Sequence, residues 1–89
     1  MSTELRAQEG HKANLPKLDG FSVGIVGAEW NPQVTEALLK GALDVFHAEG
    51  YTDDKILVEH VPGTVELTYG AACMIDNVNV EAVIVIGCV

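Results

Sequence analysis

An α/β architecture, with a parallel sheet covered on both faces, is what this sequence predicts, and three observations predict it. Apolar, β-rich runs alternate with helical stretches in the order strand, helix, strand, helix, strand. The first and third runs are apolar almost throughout, as strands buried on both faces must be. Glycine, proline and polar residues punctuate the joins. The 89 residues suffice for one small domain, and 48% hydrophobic with 20% charged residues describes a globular chain. The apolar share is high for this length, which points to apolar surface meant for a partner.

Residues 1–19 are mostly polar and read as an arm, with the domain proper spanning residues 20–89. Residues 21–27 form a first buried strand. Asn31 suits a helix N-cap and Pro32 the first turn. The first helix runs over about residues 32–49, with Val34, Leu38, Ala42, Val45 and Phe46 on its apolar face. Gly50 stops it. A polar loop over residues 51–55 leads to a second strand at residues 56–61. Pro62, Gly63 and Thr64 turn the chain sharply. A second helix starts near Val65 and runs to about Asp76, with Leu67, Ala71 and Met74 facing the core. The last strand occupies residues 82–89. Right-handed crossovers put the helices on opposite faces when the first strand is central, giving a local order 2-1-3. The chain stops at the tip of its most apolar strand with nothing to cover or pair it. The expectation is a fold incomplete at its C-terminus.

The charge balance is −8, from 13 acidic and 5 basic residues. That predicts repulsion from nucleic acid and from anionic membranes. There is no secretory h-region and no apolar run approaching the ~20 residues of a membrane span. Cys73 and Cys88 show no metal-ligand spacing and read as buried free thiols, which suits a reducing, cytoplasmic setting.

Ligands of open parallel sheets bind beyond the carboxyl ends of the strands. Here those ends carry residues 27–31, 61–66 and 87–89. Trp30 is the only tryptophan and reads either as a packing residue or as a platform for a planar ring. Asn31 reads as a cap or a ligand contact. The amides of Thr64 and Val65 start a helix and are free to donate to oxygen. Glu66 is placed by the helix dipole or by a ligand. His60 reads as a structural histidine at a strand end. Cys88 reads as a packing residue. There is no dinucleotide fingerprint and no P-loop.

Taken in order, Gly24-Ile25-Val26-Gly27-Ala28-Glu29-Trp30-Asn31, then Leu38-Leu39-Lys40-Gly41-Ala42, then Val61-Pro62-Gly63-Thr64-Val65-Glu66-Leu67, then Ala82-Val83-Ile84-Val85-Ile86-Gly87-Cys88-Val89, the chain resembles the lumazine synthase family from about Phe21 to Val89. The resemblance implies a flavodoxin-like, three-layer α/β/α fold. It implies a transferase of riboflavin biosynthesis that condenses 5-amino-6-(ribitylamino)uracil with 3,4-dihydroxy-2-butanone 4-phosphate, releasing phosphate and water, with no cofactor and no metal. Position by position, Trp30 matches the aromatic that stacks on the pyrimidine, with Asn31 beside it. Thr64, Val65 and Glu66 match the turn that holds the ribityl chain. Cys88, where threonine is common, and Val89 match a segment that contacts the pyrimidine through its backbone.

The family's proton-transfer histidine and phosphate-binding groups match positions beyond Val89, so no catalytic residue is assigned within the chain. The resemblance also implies homo-oligomers, either pentamers or icosahedral sixty-subunit shells, with the arm adding to a neighbour's sheet and riboflavin synthase as a candidate partner. Two other readings stand beside it. One is an inactive fragment or shell component, and the other is an unrelated module that binds a planar ligand at Trp30.

Overall fold

The structure, a computed structural model, describes residues 21–89; the expected polar arm lies outside the described residues. Strand β1 (Val23–Ala28) is followed by helix α1 (Pro32–Ala48), strand β2 (Ile56–Val61), helix α2 (Leu67–Asn77) and strand β3 (Ala82–Ile86). Single 3-10 turns at Asp53–Lys55 and Thr64–Glu66 precede β2 and α2. The sheet is parallel with order β2-β1-β3, and Val23 of β1 pairs with Ile56 and with Ala82. No helix among the described residues is long and apolar enough to cross a membrane.

Every residue of β1 is buried, because the strand has a strand on each side and a helix over each face. Ile25 packs with Leu39 of α1 and Ile86 of β3. Val26 and Ala28 point the other way, toward Leu67 and Met74 of α2. Alternate residues thus serve opposite layers, and the three-layer α/β/α arrangement with order 2-1-3 follows. Each large apolar side chain so buried contributes roughly 1.5–3 kcal/mol. The layers meet closely where α2 carries Gly70, since a methyl there would come within 2.9 Å of Val26 and Val61. A second seal lies at the opposite end of the sheet. The Ser22 N–H and hydroxyl both donate to Glu81, and the Glu81 N–H donates to the Ser22 carbonyl, tying the starts of β1 and β3.

Several expectations shift in detail. Of the predicted inward face of α1, Ala42 and Phe46 do pack against the sheet, but they do so with Leu43 and with the buried Thr35 and Leu39. Val34, Leu38 and Val45 are instead 40%, 50% and 61% exposed. Both stripes have helical spacing, so periodicity alone does not choose between them. Ala42 and Phe46 belong to both stripes and the inner one adds Leu39 and Leu43, while Phe46 also meets Tyr51 edge-on at 5.2 Å. The second helix is preceded by a 3-10 turn and becomes α-helical only at Leu67. Strand β3 ends at Ile86, leaving residues 87–89 to run past the sheet. Gly50 has φ 92°, the left-handed stop expected of it. Cys73 and Cys88 are free and half-buried rather than fully buried.

Two glycines of the helices behave oppositely. Gly41 has open space around a would-be methyl, so Gly41→Ala is expected to raise stability by about 0.5–1 kcal/mol. Gly70→Ala is expected to lower it, since overpacking costs about 1–3 kcal/mol against that same gain. Urea unfolding of the full natural chain measures both. The Glu81 carboxyl is held below its ordinary range by the Ser22 N–H and then by the Ser22 hydroxyl. A depressed carboxyl stabilises the fold above its unfolded pKa, and that support is lost as pH falls through the folded value. Acid titration of stability is therefore expected to be shallower in Glu81→Gln than in the parent.

Candidate functional site

The carboxyl ends of the three strands share one edge, and backbone hydrogen bonds carry the pairing of β1 and β2 beyond the sheet. The Glu29 N–H donates to the Val61 carbonyl at 2.8 Å and the Trp30 N–H to the Pro62 carbonyl at 3.1 Å. The turn after β1 is thereby fixed to the turn after β2. Trp30 is 63% exposed at this edge, so it is not an internal packing residue of the described fold.

Asn31 occupies the N-cap position of α1 but does not cap it with its side chain, contrary to expectation. Its backbone is left-handed, with φ 55° and ψ 64°. Asparagine visits that region more readily than other residues with a Cβ. The conformation turns the carboxamide away from the helix, and its Nδ2 donates to the Cys88 Sγ at 3.4 Å. The helix start is satisfied otherwise: the Asn31 carbonyl accepts from the N–H of Val34 and of Thr35. Thr35, 2% exposed, adds its hydroxyl, 3.3 Å from the Asn31 carbonyl and 3.5 Å from that of Trp30. Sequence reasoning missed Thr35. The one available signal was a polar residue in the stripe Thr35, Leu39, Ala42, Phe46.

The turn after β2 is extended at Gly63 and then tightens into the 3-10 turn. Among the described residues the Thr64 and Val65 N–H groups meet no backbone carbonyl, as expected at a helix start. Glu66 folds back over Gly63, whose Cβ, if it had one, would sit 3.2 Å from the Glu66 Oε1. The Thr64 hydroxyl donates to the Cys88 carbonyl at 3.0 Å. The third tip approaches closely because Gly87 is a glycine. A methyl there would come within 2.7 Å of the Leu67 Cδ1 and 3.1 Å of the Thr64 Oγ1.

Asn31, Thr64 and Cys88 are thus brought together, with Trp30 and Glu66 on the turns they join. Val65 and Val89 are exposed at the same edge. His60 stands apart from this group. It lies beside Gly27 across the sheet, and its Nε2 is 3.5 Å from Glu36 of α1, in keeping with a structural role. A groove of about 310 Å³ lies between β2 and α2, lined by Val26, Val61, Tyr69, Cys73 and Met74, and none of the predicted site residues lines it. Lys40 and Lys55 are the only lysine or arginine residues among those described, and neither is at the strand tips. Lys40 is paired with Asp44 at 2.9 Å.

A sequence model described as 6,7-dimethyl-8-ribityllumazine synthase matches residues 20–89. The chain belongs to the 6,7-dimethyl-8-ribityllumazine synthase family. It is 52% identical over 76 residues to the 6,7-dimethyl-8-ribityllumazine synthase of Porphyromonas gingivalis, which covers 85% of this chain and 47% of the relative. With the Phocaeicola vulgatus protein of that name it shares 46% identity over 76 residues, 85% of this chain and 45% of the relative. With that of Flavobacterium johnsoniae it shares 42% over 90 residues, 100% of this chain and 47% of the relative. The chain therefore spans about half the length of the curated relatives it matches.

Thr35→Val keeps the shape and removes the hydroxyl from the Trp30–Asn31 turn. Its expected cost is about 0.5–1.5 kcal/mol, read by urea unfolding, with a blue or red shift of the Trp30 emission as the turn relaxes. Unchanged stability and emission would leave the hydroxyl without a role in the turn.

Proposed function

We propose that this chain carries the pyrimidine- and ribityl-binding side of a lumazine synthase site. The reaction is the condensation of 5-amino-6-(ribitylamino)uracil with 3,4-dihydroxy-2-butanone 4-phosphate to 6,7-dimethyl-8-ribityllumazine. The observation that carries the reading is the joining of three strand tips at one edge beneath an exposed indole. Family membership supports it.

In this reading Trp30 stacks on the pyrimidine ring and Asn31 flanks it. The Thr64 and Val65 amides and the Glu66 carboxylate take ribityl hydroxyls, the amides donating and the carboxylate accepting. Cys88 and Val89 meet the polar edge of the pyrimidine through their backbone. No residue of the chain is assigned to proton transfer or to the phosphate; among the described residues, Lys40 and Lys55 lie away from the strand tips. The contribution of these residues is to hold one reactant rigidly so that its amine meets the ketone of the other. Well-oriented reactants can gain about 7–11 kcal/mol of barrier this way. The reaction needs no cofactor in this scheme.

Homo-oligomerisation to pentamers or sixty-subunit shells, a cytoplasmic setting, a place for riboflavin synthase as partner, and a neighbour-binding arm at residues 1–19 belong to the same proposal. The exposed stripe of Val34, Leu38 and Val45 supports burial against further protein. It also supports the second reading, a shell component without activity.

Supplying both substrates to the full natural chain and following the product's fluorescence decides between them. Product formation is expected, and assembled protein that yields none would favour the scaffold. Trp30→Ala is expected to weaken pyrimidine binding about ten-fold or more, since base–aromatic stacking is worth about 1–3 kcal/mol. Its stability should change by no more than about 0.5 kcal/mol, as for an exposed side chain. Glu66→Gln is expected to weaken ribityl binding about ten-fold, a charged hydrogen bond being worth about 1.5–3 kcal/mol. Calorimetric titration measures both, and an unchanged Kd for Glu66→Gln would return Glu66 to the helix start alone.

A further inference from the structure

Backbone hydrogen bonds tie the first two strand tips together, and one residue, Cys88, ties the third tip to both. Asn31 is freed from capping by its left-handed backbone, and its carboxamide crosses to the third tip. The Cys88 sulfur accepts from the Asn31 Nδ2 at 3.4 Å. The Cys88 carbonyl meanwhile accepts from the Thr64 hydroxyl. Gly87 allows the strand to come close enough for both bonds, through the approach to Leu67 and Thr64 noted above.

We propose that Cys88 is a positioning residue for the site: its thiol seats the Asn31 carboxamide while its carbonyl holds Thr64, so the third strand tip is in register with the aromatic turn and the ribityl-binding turn before substrate arrives. The backbone contacts assigned to Cys88 do not require a particular side chain; this role does. Alanine removes the acceptor and leaves the Thr64 bond intact. Serine keeps an acceptor at nearly the same place. The kinetic part rests on the proposed function, and the spectroscopic part does not.

The test uses the full natural chain with 5-fluorotryptophan, the Trp30 resonance being assigned by its loss in Trp30→Phe. Cys88→Ala is expected to shift or broaden the Trp30 fluorine line with no ligand present, and Cys88→Ser to restore it. Asn31→Gly, which tolerates the left-handed backbone, is expected to change the line as Cys88→Ala does, and the double variant no further. In turnover, Cys88→Ala should raise KM for the ribitylaminouracil about three- to ten-fold, the effect of one lost hydrogen bond, with the loss falling on KM rather than kcat. Cys88→Ser should recover most of it.

A Trp30 line and KM unmoved in Cys88→Ala would overturn the proposal, as would serine behaving like alanine or additive effects of the two variants. Should Cys88→Ala fail to fold, Asn31→Gly alone decides: it must change the Trp30 line and KM, or the clasp is absent. Should the parent make no product, the functional reading fails while the fluorine spectra still judge the clasp.

Discussion

Burial of β1 is the constraint from which the other features follow. A strand with neighbours on both edges and helices on both faces must be apolar at every position, and all six residues of β1 are buried. Two helices are needed to cover it, and right-handed crossovers send them to opposite sides. Parallel pairing then delivers the ends of all three strands to one edge. The candidate site is the by-product of that delivery. Its backbone comes from turns that the sheet must make in any case, and only the side chains at the tips are free to specialise.

Those specialised side chains are held by short-range bonds that compete with ordinary helix chemistry. Asn31 gives up a capping bond, and the Thr35 hydroxyl lies buried against the Trp30 and Asn31 carbonyls. A buried hydroxyl without a partner would cost about 1–3 kcal/mol, so the Thr35 contacts offset what its burial would otherwise lose. Glycine at 63 and 87 brings the turns close, because a methyl at either place would press on a site side chain. Local strain is small: among the described residues, Asn31 is the only residue with a Cβ at positive φ.

Legibility in the sequence followed how strongly one residue type answers one physical demand. The strands were readable because β1 and β3 are apolar on both faces, and Gly50 because a left-handed stop suits glycine. The face of α1 was readable only in part: Ala42 and Phe46 lie on it, but Val34-Leu38-Val45 and Thr35-Leu39 have equal claims by spacing and only packing against the sheet separates them. The candidate residues themselves stood out as unusual residues at strand ends. Their linkage did not, because the Asn31–Cys88 bond joins positions 57 residues apart and depends on a backbone torsion that Asn31 shares with no neighbour. Thr35 was hidden for the same reason, its hydroxyl donating to the carbonyls of Trp30 and Asn31 in a turn whose shape the sequence does not show.

The topology also sets the order in which the sheet can form. Val23 pairs with Ile56 and Ala82, and the Ser22–Glu81 seal spans 59 residues, so the segment next to β1 in the chain supplies neither of its strand partners. During synthesis at about 5–20 residues per second, β1 leaves the ribosome several seconds before β3 exists. Such distant pairing also slows folding, because loop entropy is lost before the contacts repay it. The most deeply buried strand of the finished protein is therefore the one that waits longest without partners, and a newborn chain depends on α1 to shade it meanwhile.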